Sequence, residues 1–555
     1  MMERRAVSFL MVATLAGAAV LTAANLWFGE LNQDEGWYLY AARLVAEGKW
    51  PFLDFASTQG PVMPCVYALA EPLVRIWGVA GGRGFTALLG WVGMLLAARL
   101  AARLAPPASG RAAVLLSLML TGLNVYQSYF STIVKTYALA GLILVAAFLV
   151  LNAAWERRSA GLAAGAGILF VLAAGARASA AAAFLGALAM LLAAFARETV
   201  RVRDAVENQG AVKRCWLPGA MLIGGCVAGM LVFGPFWLKA REALWFALIE
   251  YHAGRRAGSV LQTLAYKAGF LARVTQAYLA AVLVFGLAAL YAALHRNTKG
   301  SRPAWLPPVN QAGLPLMVLW GAVAAVTGVH LLAPFPYDDY QAMIFPLAAV
   351  ATVAWLLRVL GCIEAAFGRN GAGVRLWVLF AVFFVSVATV VASPMVQEWF
   401  VGPRDRIWWP LKKETPLRVL QRTAAALRDE LGLRSGELLL TQDLYLAVEA
   451  RACVPRGMEL GPFSYFPEWS TEKAVQCHVL NRAMLTALLE NCPARIAAFS
   501  GYGLAIRAPE IQPLSAREQA ELWSIVRRNY ELWAVVEPFG QAATRLEILR
   551  RRELK

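Results

Sequence analysis

The sequence predicts an α-helical polytopic membrane protein with about eleven transmembrane helices and a C-terminal soluble α/β domain. Three observations lead there. Hydrophobic residues make up 59% of the 555 residues and charged residues only 16%, against roughly a quarter in a soluble domain. Apolar stretches of about twenty residues recur along the first two thirds of the chain, each long enough to cross about 30 Å of hydrocarbon as a helix. They are continuous rather than alternating, which argues against a strand barrel.

The first apolar run, Ala6–Phe28, follows Arg4 and Arg5 and is about twice as long as the apolar region of a signal peptide, so it reads as a first span with a cytoplasmic N-terminus. Further spans are predicted at Gly84–Leu104, Ala112–Gln127, Thr132–Trp155, Gly161–Ala174, Ser179–Ala196, Trp216–Leu238, Leu271–His295, Gly313–Leu332, Tyr340–Leu360 and Leu376–Ala392. This gives a transmembrane domain over 1–393, with a long first external loop at 29–82 carrying interfacial helices, and an external domain over 394–555. In that domain, helical patterns cover Pro416–Leu431, Glu472–Glu490 and Ala516–Asn529. Strand patterns cover Glu437–Leu440, Arg495–Phe499, Leu532–Val536 and Arg545–Leu549. No phosphate-loop or dinucleotide fingerprint lies at a strand–helix junction.

Charge tests the topology. With the N-terminus inside, the basic loops at Arg157-Arg158, at Arg197 to Arg214, at Arg296 to Arg302 and at Arg369 to Arg375 all fall on the cytoplasmic side. The loops 126–131 and 333–339 fall outside and carry no Lys or Arg. The net charge of +17 thus points to anionic membrane lipid as a partner and not to nucleic acid. One segment departs from the rule. Lys239–Arg273, external by this count, carries Lys239, Arg241, Arg255, Arg256, Lys267 and Arg273. It is either tolerated or an anion site at the outer membrane face. Seven cysteines without a C-x-x-C pair signal neither zinc nor a redox motif. Cys453, Cys477 and Cys492 fall in the external domain, where an oxidising compartment would allow one disulfide of undetermined pairing.

The segment richest in chemistry is Leu31-Asn32-Gln33-Asp34-Glu35-Gly36-Trp37-Tyr38-Leu39-Tyr40 and its continuation to Leu44. Apolar positions at Trp37, Tyr40, Ala41, Leu44 and Val45 form the stripe of an amphipathic helix, with aromatics suited to a membrane interface. Adjacent carboxylates on a helix point about 100° apart, so Asp34 and Glu35 are expected to do different work. Asn32 and Glu35 have capping-box spacing, which gives Glu35 a structural role. Asp34 is either a charge that stabilises the helix start or a proton acceptor at the water–lipid boundary.

The stretch NQDEGWYLYAARLVAEGKWPFLDFASTQGPVMPCVYALAEPL resembles the first periplasmic loop of the type C glycosyltransferases. It is most similar to the bacterial protein O-mannosyltransferase and aminoarabinose transferase group. Asp34 and Glu35 match that family's acidic motif, and Gln59-Gly60-Pro61 falls where its Pro-containing segment is expected. AAGARAS, containing Arg177, resembles its tight helix pair, and PYDDYQAMIFPLAAVA its late loop-to-helix segment. The likeness covers roughly Met1–Ala392. At the outer end of the fourth span, where the family often has a second acidic group, this chain has Lys135 and Thr136. A divalent cation is compatible with the family but would lack that ligand.

The resemblance implies an inner-membrane hexosyl or pentosyl transferase. It would take a polyprenyl phosphate-linked sugar donor, and its acceptor hydroxyl would lie on a lipid, polysaccharide or protein at the periplasmic face. Asp34 and Glu35 become the catalytic candidates, with Asp34 as base. Arg255, Arg256, His252 and Lys135 become candidates for the donor phosphate, and Tyr38, Gln59, Asp338, Asp339 and Tyr340 for other substrate contacts. Plainer readings stand beside these: an interfacial loop for His252, a snorkelling cation for Lys135 and equally for Arg177, a solvated helix start for Asp338-Asp339, and packing of the tail for Trp408-Trp409. A transporter or a non-catalytic envelope assembly protein is the competing class. A transporter more often shows paired repeats and ionisable residues in mid-helix; no such repeat is seen in this sequence, and most charges sit at loop positions.

Overall fold

A computed structural model describes residues 2–203, 216–254, 259–294, 314–367, 371–392 and 414–552. The first half runs α1 (Met2–Phe28), α2 (Gln33–Ala46), α3 (Val62–Ala68), α4 (Glu71–Trp77), α5 (Val79–Leu104), α6 (Gly110–Gly122), α7 (Val125–Phe130), α8 (Thr136–Arg157), α9 (Ala160–Ala176) and α10 (Ala181–Arg203). Then come α11 (Trp216–Lys239), α12 (Arg241–Trp245), α13 (Tyr251–Ala253), α14 (Val260–Ala277), α15 (Leu279–Leu294), α16 (Leu314–Leu332), α17 (Phe345–Phe367) and α18 (Gly371–Val391).

Every predicted span has a helix, but not all are alike. Among the described residues, eight helices are long and apolar enough to cross a membrane, nine if the bent pair α14–α15 is one span. The protein is therefore a multi-pass membrane protein. The predicted third span is broken into α6 and α7 at Leu123-Asn124, where Asn124 caps α7, and the fifth, α9, has only 17 residues. The predicted eighth span, Leu271–His295, begins earlier and bends by 92° between Ala277 and Leu279. Its first part, α14, is amphipathic. Val260, Leu261, Leu264 and Leu271 are exposed, while Lys267 donates to the carbonyls of Leu331 and Ala333 and Arg273 pairs with Asp338. Such a helix suits the interface, where cations keep polar partners.

The segment predicted as an external loop from Lys239 is therefore mostly helix: α12, a wide π-type turn at Phe246–Glu250, α13 and α14. Arg255 and Arg256 lie outside the described residues, as do Trp408 and Trp409 and the expected domain boundary near 394.

The C-terminal region builds a four-stranded sheet in the order β1 (Leu439–Thr441), β2 (Ile496–Phe499), β6 (Thr544–Arg551), β5 (Tyr530–Phe539). β1 is parallel to β2 and the other pairs are antiparallel. A small ribbon joins β3 (Ile506–Arg507) to β4 (Gln512–Pro513). Helices Pro416–Asp429 and Ala516–Asn529 follow the predicted patterns closely, while the predicted helix over 472–490 is split into Thr471–Gln476 and Arg482–Asn491. Cys453, Cys477 and Cys492 are all unpaired thiols. This region docks on α2 through the helix Leu444–Glu449: a Cβ at Gly36 would collide with the backbone of Tyr445, so only glycine allows the two helices this approach.

Candidate functional site

The N-terminus of α2 is fixed from both sides. The Asn32 side chain accepts from the Asp34 amide at 3.1 Å, and the Asn32 amide donates to Glu35 Oε1 at 3.1 Å, completing the capping box. Glu35 goes no further toward the cavity. Its carboxylate is fully buried and pairs with Arg83, Nη2 to Oε1 at 2.6 Å and Nε to Oε2 at 2.8 Å. Arg83 places its remaining donors on the carbonyls of Leu26, Gly29 and Glu30. Glu35 thus ties α2 to α5 and to the end of α1. Sequence reading had no signal for Arg83, a single charge 48 positions away.

Asp34, about 100° around the helix, faces a cavity of about 520 Å³ roofed by the C-terminal region. Eight residues named as candidates from sequence line it: Asp34, Tyr38, Gln59, Lys135, His252, Asp338, Asp339 and Tyr340. Lys135, the residue before α8, lies between two carboxylates, 2.8 Å from Asp339 Oδ2 and 3.3 Å from Asp34 Oδ2. Tyr137 also donates to Asp339 at 2.8 Å. Burial works against both charges, but the ammonium holds the Asp339 carboxyl below its usual range, and Asp339 and Asp34 hold the Lys135 pKa up. Asp338, beside it, accepts from Tyr126 at 2.5 Å and pairs with Arg273 at 2.8 Å.

Gln59 lies near the α9–α10 junction because Gly60 packs directly on the backbone of Gly175, where a side chain would collide. Its Oε1 accepts weakly from the Ala178 amide at 3.4 Å. His252 lies 3.1 Å from the Thr58 carbonyl. Arg177, between α9 and α10, stacks on Tyr340 and Tyr137 with its guanidinium carbon 4.5 and 4.7 Å from their ring centres. The roof is Phe463, Tyr502, Ile511 and Gln541, none of which the sequence singled out. Gln541 accepts from the Gln33 amide at 2.9 Å, and Gln33 Nε2 reaches Asp443 and Tyr445. The α2 N-terminus is thus held by the C-terminal region as well as by its own cap.

The donor set does not suit a metal. Among the described residues, no group of three or more His, Cys, Asp or Glu side chains is placed to hold an ion. The space between the two nearest carboxylates, Asp34 and Asp339, is filled by the Lys135 ammonium. What the cavity offers is a half-exposed carboxylate with one oxygen held by a cation, aromatic walls, and a buried guanidinium.

No protein-family model and no curated protein sequence matches the chain. Solved structures do. The ArnT of Cupriavidus metallidurans in the apo state is 16% identical, with 98% of each chain covered and a TM-score of 0.53. The same protein bound to undecaprenyl phosphate is 15% identical, with 97% of each chain covered and a TM-score of 0.51. The archaeal oligosaccharyltransferase AglB from Archaeoglobus fulgidus, in complex with an inhibitory peptide and a dolichol-phosphate, aligns with 88% of this chain and 69% of its own at 11% identity, with a TM-score of 0.44 too low to add weight. Over nearly its whole length, the chain has the fold of the ArnT structures.

Proposed function

We propose that the chain is a membrane glycosyltransferase that moves a sugar from a polyprenyl phosphate to an acceptor hydroxyl, at the outer face of a bacterial inner membrane, with Asp34 as general base. The observation that carries this reading is the placement of Asp34. It faces a large cavity at the ends of the spans, with one carboxylate oxygen near Lys135 and 28% of its side chain exposed. In the reaction, the acceptor oxygen bonds to the anomeric carbon and its proton passes to Asp34. The bond from that carbon to the phosphate oxygen breaks, with the electron pair leaving on the lipid phosphate. The Lys135 ammonium lies 3.3 Å from one Asp34 oxygen, and Asp339 shares the same ammonium. Two further points support the donor class: the fold is shared with a protein solved with undecaprenyl phosphate bound, and the loop charges favour an external cavity.

The test is transfer from a panel of undecaprenyl phosphate-linked hexoses and pentoses by the purified protein in sealed vesicles of defined orientation. Transfer is expected when donor and acceptor are supplied on the side of the C-terminal region. Transfer from the opposite side alone reverses the topology, and no turnover or sugar release with any member of the panel removes the donor class.

A further inference from the structure

The geometry points to Arg177 as the group that holds the donor phosphate and follows its charge as it leaves. This rests on the donor class proposed above and names the cation that class requires. Three cations stand at or near the cavity wall, and two are already matched. Lys135 faces Asp339 and Asp34, and Arg273 faces Asp338. Arg177 lines the cavity, is only 8% exposed, and among the described residues has no carboxylate within ion-pairing distance. Its Nη1 donates to Thr136 Oγ1 at 3.1 Å, and Nε is buried without a partner. That leaves the Nε–Nη2 edge, the fork that meets a phosphate with two parallel bonds, uncommitted among the described residues. The Tyr137 and Tyr340 rings fix the plane of the guanidinium, so little freedom is lost when an anion binds.

The Asp34–Lys135–Asp339 cluster has two carboxylates against one ammonium in direct contact, and Arg177 feels Asp339 only from beyond ion-pairing distance. Tyr137 joins the two groups, stacking on Arg177 and donating to Asp339, so the guanidinium borders the carboxylate cluster while its own free edge stays unpaired among the described residues. A buried guanidinium without a direct ion pair is costly to hold, and an anionic ligand on its free edge offsets that cost. The donor phosphate is a diester with one negative charge. When its bond to the sugar breaks, the departing monoester gains a second charge while the acceptor proton goes to Asp34. The pull of Arg177 thus grows along the reaction, as transition-state stabilisation requires. The neighbouring cations Lys135 and Arg273 do not offer this, because their own carboxylates already hold them.

The full-length protein in lipid nanodiscs, titrated with undecaprenyl phosphate and with undecaprenol, reads the assignment directly. The two probes share a chain and differ in the phosphate. Wild type is expected to prefer the phosphate. Arg177→Gln should lose about tenfold to a hundredfold in affinity for undecaprenyl phosphate, the worth of a charged hydrogen bond, and keep its affinity for undecaprenol. Arg177→Lys keeps the charge without the fork, should fall between, and serves if the glutamine variant does not fold. A merely structural role moves both affinities or neither. Unchanged discrimination in the folded variants overturns the assignment to Arg177 while leaving the donor class standing. No discrimination in the wild type overturns the donor class, and this assignment with it.

Discussion

Asp34 and Glu35 are neighbours on one helix and belong to charged clusters of opposite design. Glu35 and Arg83 are both fully buried and matched one to one, with every donor of the guanidinium used. Asp34 belongs to a group in which Lys135 serves two carboxylates, with 28% of the Asp34 and 15% of the Asp339 side chain exposed. A closed, balanced cluster has nothing to offer a substrate and much to lose if broken. An open, unbalanced one has the reverse profile. The rotation between adjacent helical positions is what sends one carboxylate into the protein and the other to the cavity.

Breaking the open cluster should have the largest effect on rate. Asp34→Asn is nearly isosteric and should leave insertion and thermal stability close to wild type. Transfer should fall about a hundredfold to ten-thousandfold, the usual range for losing a general base. Single-turnover kinetics with saturating donor makes the measurement. A wild-type rate in the folded variant would remove Asp34 from the mechanism.

Breaking the closed cluster should act on stability. Glu35→Gln leaves Arg83 as a buried charge without a counter-ion, and such losses run to about 3–5 kcal/mol. Yield and melting temperature should drop, and adding Arg83→Leu should recover part of the loss, because the stranded charge is then gone. The sharp opposite result is a Glu35→Gln protein of wild-type stability and greatly reduced rate. That would place Glu35 in the chemistry and reverse the contrast between the two acids.

The contrast was half legible in the sequence. The Asn32–Glu35 spacing announced the cap, and the aromatic stripe announced α2, because both are periodic signals within one helix. Eight candidates scattered from Asp34 to Tyr340 prove to line one cavity, since charged and aromatic residues at the ends of apolar spans have few other places to go. Arg83 was not legible: an ion pair across 48 residues leaves no local pattern. Nor was the freedom of Arg177, which depends on which carboxylates other cations have taken. The roof from Phe463, Tyr502 and Gln541 depends on a docking contact at Gly36 that no hydropathy profile contains. The bend before α15 was missed because α14 is apolar enough on one side to be read as part of a span.

A smaller effect than either, and one that sharpens the idea of an unbalanced cluster, is expected from Lys135→Met. It leaves Asp34 and Asp339 sharing a site without a cation. In the wild type the ammonium holds the Asp339 carboxyl low, so its removal must raise the proton affinity of the pair. The acid limb of the pH–rate profile should move up by about one to three units, the usual effect of a close opposite charge. Activity lost near neutral pH should return as the pH rises. A uniform loss at every pH would mean that Lys135 acts by holding the loop before α8 rather than by tuning the carboxylates.

The smallest effect is expected where the sequence first suggested the phosphate site. Arg255 and Arg256 follow His252, a cavity residue, by three and four positions in the sequence. Charges that act through water are worth about 0.2–1 kcal/mol each, and salt screens them. Replacing both with Gln should therefore weaken undecaprenyl phosphate binding by less than about thirtyfold at low salt, two such charges together, and by only a few-fold at physiological ionic strength. Replacing Arg177, which is buried and enclosed by Tyr137 and Tyr340, should cost affinity almost equally at both salt concentrations. Salt dependence thus separates a cation that attracts the lipid from one that grips it. A double variant whose loss exceeds that of Arg177→Gln and persists at high salt would move the phosphate grip from the α9–α10 junction to the segment after α13.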